Sequence, residues 1–310
     1  MLRLSSIVPF SNVEPYIEEC IRSLYNQDIL WEEYEVICID DCSPDGSRVI
    51  VERLQQEYPT LKLLRTPENL RQGGARKMGL DIAQGKYIWF VDSDDYIKAN
   101  CLGNLLQKAE DEHLDILDFD FDADYSKQKF VKNVQSFDKG PCSGADYVFC
   151  ANYGGNWSWR CVCVWGGIIR YELIKDMRFR EYVQYEDNDF ALQMYARAQR
   201  VHHIVDKPYF YRVAENSTIH THWELRHVIY DIALIKRYIT MLREDKWEDK
   251  RWKHGVRELL NYSARQAYLK LKECSIEERH KFYRCHLGYI PYSWRWMYRR
   301  LWLKLLIPIG

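Results

Sequence analysis

The first hundred residues alternate between short apolar runs and amphipathic stretches, a pattern that predicts alternating strands and helices. The apolar runs predict strands at 4–10, 34–39, 61–64 and 87–91. The amphipathic stretches predict helices at 14–26, 47–58 and 73–83, and Gly85 is expected to close the third as its C-cap residue. Strands that alternate with helices form an open, mostly parallel α/β sheet with right-handed crossovers.

Polar side chains follow three of the predicted strands at the point where each strand ends. Ser11 and Asn12 follow the first strand, Asp40 and Asp41 follow the second, and the fourth runs into Asp-Ser-Asp-Asp at 92–95. Ligands of open parallel sheets bind beyond the carboxyl ends of the strands, near a switch in strand order. The sequence therefore predicts a binding site along this edge of the sheet.

Asp92 and Asp94 are candidates for a metal site. They lie two residues apart after a strand, and side chains at i and i+2 of an extended segment share one face. Carboxylate oxygens suit Mg²⁺ or Mn²⁺, which keep bound waters and bind substrate phosphates. A solvated acidic turn is the alternative, but the apolar strand before the pair directs it to the ligand edge and favours a site.

Three other polar segments each have two interpretations that spacing does not separate. Asp40 and Asp41 either accept the ring N–H of a nucleobase or close a turn and cap a helix. The glycine pair and the cations within 69–79 either receive phosphate oxygens or form an ordinary basic helix N-terminus. The acidic run 185–190 either supplies a general base or complements a helix dipole.

The rest of the chain has a less regular pattern. It predicts strands at 114–120 and 208–213, a loop entering a strand at 157–170, and a helix at 187–198. From Trp223 onward the pattern is helical, so we place a boundary near His222. The aromatic residues of 157–165 and 209–211 either stack on sugar rings or, more commonly, pack in a core.

Charge is divided unevenly along the chain. Residues 1–206 hold 34 acidic and 23 basic side chains, whereas residues 207–310 hold 11 acidic and 21 basic ones. The acidic part suits a cation, and the basic part suits a phosphate-bearing partner or an anionic membrane surface. No nucleic-acid-binding signature accompanies the basic part, which disfavours a nucleic-acid partner. No glycine-rich loop follows the first strand, which disfavours a dehydrogenase.

These segments, in this order, resemble the family 2 inverting glycosyltransferases, which have the GT-A fold. The resemblance covers about residues 4–218 and rests on 7–16, 40–47, 69–79, 85–87, 91–95, 185–190, 211–212 and 216–218. It implies a glycosyltransferase domain at 1–222, with the nucleotide sugar bound by about 1–100 and the acceptor by about 101–222. A basic helical region at 223–310 would follow this domain.

The resemblance also implies roles for individual residues. Asp187 would deprotonate the acceptor hydroxyl, and Asp94 together with Asp92 would hold Mn²⁺ or Mg²⁺. Trp165 and Glu186 would lie on the acceptor side. The donor nucleotide would be held by Pro9, Phe10, Asn12, Glu14, Asp40, Asp41, Gly74, Arg76, Asp92 and Ser93.

The implied activity is the transfer of a hexosyl or N-acetylhexosaminyl group, with inversion, from a nucleotide-diphosphate sugar. The resemblance favours a UDP-sugar as donor and a hydroxyl of a glycan or lipid-linked glycan as acceptor, in polysaccharide biosynthesis. There are two alternatives, a catalytically degenerate sugar-nucleotide-binding module and a nucleotidyltransferase on a related fold. A nucleotidyltransferase would require a glycine-rich loop after the first strand, which this sequence lacks.

Five positions depart from the family pattern. Ser11 stands where the family usually has tyrosine, Cys42 where it has glycine, and Lys77 where it has asparagine. The pair at 166–167 is Gly-Gly, where the family commonly has Asn-Lys. None of these changes removes a carboxylate that the mechanism needs, so we expect an active enzyme.

The two ends of the chain and its cysteines bear on its location. No basic segment followed by an apolar one begins the sequence, so we expect no signal peptide, and no stretch reaches the roughly 20 apolar residues that span a bilayer. Ten scattered cysteines favour reduced thiols and a cytoplasmic protein. Residues 279–310 interleave cations with Trp and Leu, which indicates either peripheral contact with an anionic membrane or a helix packed on the catalytic domain.

Overall fold

The computed structural model of this chain describes residues 2–123, 139–152, 159–183, 185–212, 225–244 and 249–279. These residues form one mixed, nine-stranded sheet with helices packed around it. The strands are β1 (Leu4–Phe10), β2 (Tyr34–Asp40), β3 (Leu61–Arg65), β4 (Tyr87–Phe90), β5 (Tyr96–Ile97), β6 (Ile116–Ala123), β7 (Lys139–Cys142), β8 (Gly167–Arg170) and β9 (Val201–Tyr211). The helices are α1 (Ile17–Tyr25), α2 (Ser47–Leu54), α3 (Arg71–Ile82), α4 (Leu102–Asp111), α5 (Gly144–Asn152), α6 (Tyr171–Ile174), α7 (Glu186–Arg197), α8 (Leu225–Arg243) and α9 (Lys250–Glu273).

The first four strands form the parallel part of the sheet, in the order β3-β2-β1-β4. Every residue of β1 and β2 is buried, as expected for strands covered on both faces. The strand order reverses at β1. In open parallel sheets the ligand crevice lies at such a point, beyond the carboxyl ends of the strands. The predicted α/β sheet is confirmed here, and its switch in strand order lies at β1.

The remaining strands form a mixed part, which periodicity along the chain does not predict. β8 runs antiparallel between β4 and β6, whereas β9 runs parallel to β6 and antiparallel to β5. The sequence predicts a strand only from Pro208, yet β9 begins at Val201. The strand tolerates Pro208 because its pairing with β6 is interrupted between Ile204 and Tyr209.

In the described residues after Trp223, the predicted helical pattern forms α8 and α9, which pack against each other. Gly255 in α9 also allows a close approach to α5, since a Cβ there would lie 2.5 Å from Val148 Cγ1. No described helix is both long and apolar enough to cross a membrane. His222 and residues 280–310 lie outside the described residues, so the domain boundary and the membrane contact of the tail stay predictions.

Gly85 follows α3 but does not cap it, which corrects the sequence prediction. α3 ends at Ile82, and Ala83 already has an extended backbone with φ −62° and ψ 138°. The Gly85 N–H donates to Ser5 Oγ at 2.8 Å, and a Cβ on Gly85 would overlap the backbone between Leu4 and Ser5. Glycine is needed at this position because the chain passes against the start of β1.

Gly85→Ala should therefore lower the free energy of unfolding by about 1–3 kcal/mol, because the added methyl group must displace the backbone of β1. Urea denaturation measures this loss. Gly140→Ala in β7 is a matched control, since a Cβ at Gly140 would have no atom within 4 Å. A loss of the same size in both variants would contradict the explanation.

Candidate active site

The turn after β4 carries the two aspartates that the sequence predicts as metal ligands. A hydrogen bond from the Asp95 N–H to the Asp92 carbonyl (3.1 Å) closes this turn. Asp92 and Asp94 therefore lie on one turn rather than on one face of an extended segment, which corrects the geometry expected from their spacing. Both are partly exposed, whereas Ser93 and Asp95 are buried.

Two residues far along the chain hold this turn in place. The Tyr209 hydroxyl donates to Asp95 Oδ2 (2.6 Å) and accepts from the Asp92 N–H (3.2 Å). The Arg212 backbone N–H donates to Asp95 Oδ1 (2.7 Å), and its Nε donates to the Asp94 carbonyl (2.8 Å). The sequence analysis gave neither residue this task, although Tyr209 belongs to the aromatic run 209–211 and Arg212 to the segment 211–212 on which the family resemblance rests.

Asp94 has the electrostatic surroundings of a cation ligand. Burial and repulsion from Asp92 raise the pKa of Asp94 to about 6. Among the described residues, no third His, Cys, Asp or Glu completes a cluster of protein ligands with this pair. An incomplete carboxylate set fits Mg²⁺ or Mn²⁺, which take further oxygens from water and substrate phosphates. The residues present therefore fit the predicted ion.

Arg76 in α3 joins this turn to the start of α7. Its side chain is buried, with Nη2 donating to Asp92 Oδ1 (2.8 Å) and Nη1 donating to Glu186 Oε1 (2.5 Å). The guanidinium is planar and always charged, so it holds two carboxylates at a fixed separation. The sequence prediction placed Arg76 along the donor diphosphate, whereas in this structure the guanidinium lies between two carboxylates.

The first turn of α7 carries the candidate general base. Burial raises the pKa of Glu186 to about 7, and it also raises the pKa of Asp187, although Arg76 opposes that shift. Asp187 Oδ1 accepts hydrogen bonds from both the backbone N–H and the side-chain amide of Asn188 (each 2.9 Å). A carboxylate that is oriented and has a raised pKa suits proton abstraction.

The two aspartates after β2 have different surroundings, although their sequence context is the same. Asp40 is fully buried, and its carboxylate accepts from the Ser43 N–H (2.7 Å) and pairs with Arg48 (3.4 Å). The turn-closing interpretation therefore applies to Asp40. Asp41 Oδ1 accepts from the Thr66 hydroxyl and the Leu70 N–H (each 2.8 Å), so this oxygen orders the loops that border the crevice.

The loop after β1 contains one predicted site residue with an exposed side chain and one that joins two loops. Asn12 is exposed and has a left-handed backbone with φ 58°. Glu14 accepts from the Gly46 N–H (2.8 Å), and its own N–H donates to Asp45 (2.9 Å). Glu14 therefore joins the loop after β1 to the loop after β2. The sequence pattern did not indicate this structural task.

Four further predicted site residues are buried. Pro9 and Phe10 lie inside β1, and Ser93 and Trp165 are each 6% exposed. Trp165 stacks on Tyr209 with ring centroids 4.7 Å apart, beneath the aspartate turn that Tyr209 holds. Of the two interpretations of these aromatic residues, core packing describes Trp165.

The glycine pair at the start of α3 serves close packing. A Cβ on Gly73 would overlap the Arg180 carbonyl oxygen and lie 3.0 Å from Glu186 Cγ. A Cβ on Gly74 would overlap the side chain of Leu70. Gly73 therefore allows α3 to approach α7, the arrangement that the Arg76 bridge requires, whereas Gly74 makes room for Leu70 at the start of α3.

The sequence of this chain is similar to those of known glycosyltransferases. The family model for glycosyl transferase family 2 matches residues 5–176. The uncharacterized glycosyltransferase EpsJ of Bacillus subtilis (strain 168) is 31% identical over 219 residues, which covers 69% of this chain and 62% of EpsJ. The poly(ribitol-phosphate) β-N-acetylglucosaminyltransferase TarS of Staphylococcus aureus (strain Mu50) is 38% identical over 118 residues, which covers 38% of this chain and 20% of TarS. This chain thus spans less than two thirds of either relative.

Solved structures share the fold. S. aureus TarS 1–349 in complex with UDP-GlcNAc is 22% identical, with a TM-score of 0.70 over 98% of this chain and 80% of that chain. The mannosyltransferase PcManGT of Pyrobaculum calidifontis, in complex with GDP-Man and Mn²⁺, is 17% identical, with a TM-score of 0.60 over 98% of this chain and 85% of that chain. At these identities the likeness establishes the fold alone. Because the family model covers more than half of the sequence, this chain belongs to the family 2 glycosyltransferases, and it has their GT-A fold.

Proposed function

We propose that this chain transfers a sugar from a UDP-sugar to a hydroxyl of a glycan or lipid-linked glycan, with inversion at the anomeric carbon. The observation that carries the proposal is the Arg76 bridge between Asp92 and Glu186. Asp187 lies close enough to Arg76 and Asp92 for their charges to act on its pKa. One site therefore contains both Asp92, which is suited to the leaving diphosphate, and Asp187, which is suited to proton abstraction.

The donor nucleotide is expected in the crevice between the loops after β1, β2 and β4. Asn12 is exposed there, and Asp41 and Asp92 border the same edge of the sheet. The complex of TarS with UDP-GlcNAc supports a uridine nucleotide, and the Mn²⁺ complex of PcManGT supports a divalent cation. Asp94 and Asp92 would hold this cation, which when bound neutralises charge on the departing diphosphate.

The proposed reaction is a single displacement. Asp187 accepts the proton of the acceptor hydroxyl, and the acceptor oxygen forms a bond to the anomeric carbon. The bond between that carbon and the diphosphate oxygen breaks, and the nucleoside diphosphate leaves with the electron pair. One displacement inverts the anomeric centre. TarS is named for transfer to poly(ribitol-phosphate), which supports a polymeric acceptor that bears hydroxyl groups.

A screen of nucleotide sugars tests the proposed function directly. The protein is incubated with UDP-, GDP- and dTDP-sugars in the presence of Mn²⁺, Mg²⁺ or EDTA, and released nucleoside diphosphate is measured. We expect at least one UDP-sugar to release UDP with Mn²⁺ and none to do so with EDTA. Tight binding of UDP without release from any sugar, with glycan acceptors present, would instead indicate a degenerate binding module.

Asp94→Asn should lower the rate of UDP release about 100-fold at low Mn²⁺ concentration. At high Mn²⁺ concentration part of this rate should return. The amide keeps the size of the side chain but weakens cation binding, because a neutral oxygen replaces a charged ligand. UDP release is measured against Mn²⁺ concentration. Asp81→Asn, which changes an exposed aspartate of α3, is the control. The same Mn²⁺ dependence in Asp94→Asn and wild type would remove Asp94 from the cation site.

A further inference from the structure

A lysine is buried where the two C-terminal helices meet the start of α7. Lys270 in α9 is 5% exposed, and its Nζ lies 2.9 Å from Asp231 Oδ2 in α8 and 2.9 Å from the Tyr185 hydroxyl oxygen. Burial of an ammonium group is costly unless the group is paired and hydrogen-bonded. Asp231 supplies the charge, and Tyr185 ties the pair to the start of α7.

Tyr185 has an uncommon backbone conformation. Its φ of 64° and ψ of 33° lie in the left-handed region, which bulky L-residues rarely adopt. Such a conformation persists only where surrounding contacts hold it. Lys270 holds the side chain twice, since Nζ donates to the hydroxyl and lies 5.0 Å from the ring centroid. The next residues are Glu186 and Asp187, so the backbone at Tyr185 sets the direction in which α7 begins.

α8 contacts the same first turn of α7 directly. Arg237 Nε donates to Asp189 Oδ1 at 2.7 Å, and the Tyr238 hydroxyl donates to Asn188 Oδ1 at 3.4 Å. Asn188 is also the residue that donates two hydrogen bonds to Asp187. Residues on both sides of Asp187 in sequence are therefore held by the C-terminal helices.

We propose that Lys270 is a positioning residue for sugar transfer. Paired with Asp231, it fixes Tyr185 and thereby orients the carboxylate of Asp187 toward the acceptor hydroxyl. Lys270 itself does not contact the substrate. This inference rests on the proposed role of Asp187 as general base. It makes α8 and α9 part of the catalytic apparatus, because the base has its working orientation only while these helices are in place.

A purely structural ion pair is the competing explanation, and it predicts different kinetics. If the pair only joined α8 to α9, its loss would lower the melting temperature without changing kcat in the folded protein. If the pair positions Asp187, kcat falls while donor binding is retained, because the donor groups lie on the loops after β1, β2 and β4. The separation of kcat from KM therefore distinguishes the two explanations.

The experiment uses the full chain with UDP-GlcNAc, or the UDP-sugar that the donor screen identifies, and measures UDP release, UDP affinity with Mn²⁺ and the melting temperature. Tyr185→Phe removes one hydroxyl and leaves the ion pair intact, so we expect kcat to fall about 3- to 10-fold with an unchanged melting temperature. Lys270→Met removes both contacts with Tyr185, so we expect kcat to fall about 10- to 100-fold. In both variants UDP affinity should stay within about twofold of wild type.

Lys272→Met is the matched control, since Lys272 is on the same helix but is exposed. It should retain wild-type kcat. Lys270→Met leaves Asp231 without its cation and could prevent folding. If the single variant does not fold, the double variant Lys270→Met/Asp231→Asn is measured in its place. Wild-type kcat in Tyr185→Phe and in the folded Lys270 variant would overturn the proposal.

Asp187→Asn distinguishes this failure from failure of the proposed function. Wild-type turnover in Asp187→Asn would show that the base has been assigned wrongly, and the positioning proposal would fall with it. Low turnover in Asp187→Asn, together with wild-type turnover in the Tyr185 and Lys270 variants, would overturn the positioning proposal alone.

Discussion

Asp187→Asn is expected to lower kcat for sugar transfer about 1000-fold and to leave the affinity for UDP unchanged, since a positioned general base contributes about 10²- to 10⁴-fold. The amide cannot take the proton, but it keeps the side-chain size and an oxygen that can accept the two hydrogen bonds from Asn188. UDP binding should persist because the donor groups lie on other loops. UDP release and calorimetric titration with UDP measure the two quantities.

Asp176→Asn is the control for this prediction, because Asp176 is an exposed aspartate after α6. It should retain wild-type kcat and UDP affinity. Wild-type kcat in Asp187→Asn would exclude Asp187 as the base. A parallel loss of UDP affinity in Asp187→Asn would show that the amide disturbs the whole site rather than the proton transfer.

The pH dependence of wild-type turnover should reflect the buried carboxyl groups. A general base is active only when it is deprotonated, so activity falls as the pH drops through its pKa in the folded protein. Burial raises the pKa of both Asp187 and Glu186, and the two groups lie side by side. The acid limb of kcat/KM should therefore lie above the ordinary range of an aspartate, and it belongs to the pair rather than to one residue.

The parallel part of the fold is predictable from the sequence because local patterns encode it. The strands from β1 to β4 are short apolar runs separated by helices with apolar residues at regular spacing, and each was predicted within a few residues. β6 and the end of β9 were also predicted, as strands at 114–120 and 208–213, but the first part of β9, from Val201, was not. Pairing between distant segments decides the mixed part, and periodicity along the chain does not carry that information.

In the candidate site, too, the sequence indicates individual residues but not the contacts between distant ones. The sequence alone indicated Asp92, Asp94 and the acidic run that contains Asp187. It did not indicate that Arg76 connects them, because that connection depends on Glu186, which is 110 positions from Arg76. Residue type likewise gave no means of separating Asp40, which closes a turn, from Asp41 beside it.

Arg76→Met should lower the free energy of unfolding by about 3–5 kcal/mol at pH 8, because it leaves the buried Glu186 without a cation. Burial already raises the pKa of Glu186 to about 7 with Arg76 present, and loss of the guanidinium raises it further. At pH 5 Glu186 is then protonated and uncharged, so the variant should lose less stability at pH 5 than at pH 8. Urea denaturation at both pH values measures the difference.

The double variant Arg76→Met/Glu186→Gln separates the stability effect from the catalytic one. It has no uncompensated charge at position 186, so much of the lost stability should return, as expected for two residues in direct contact. Turnover of the single and the double variant should be well below that of the wild type, because in both Asp92 lacks the guanidinium that holds it. Arg178→Met, which removes an exposed guanidinium 3.6 Å from Asp81, should cost less than about 1 kcal/mol at either pH. Recovered turnover in the double variant would mean that the bridge serves stability alone, and that Asp92 and Asp187 keep their working positions without it.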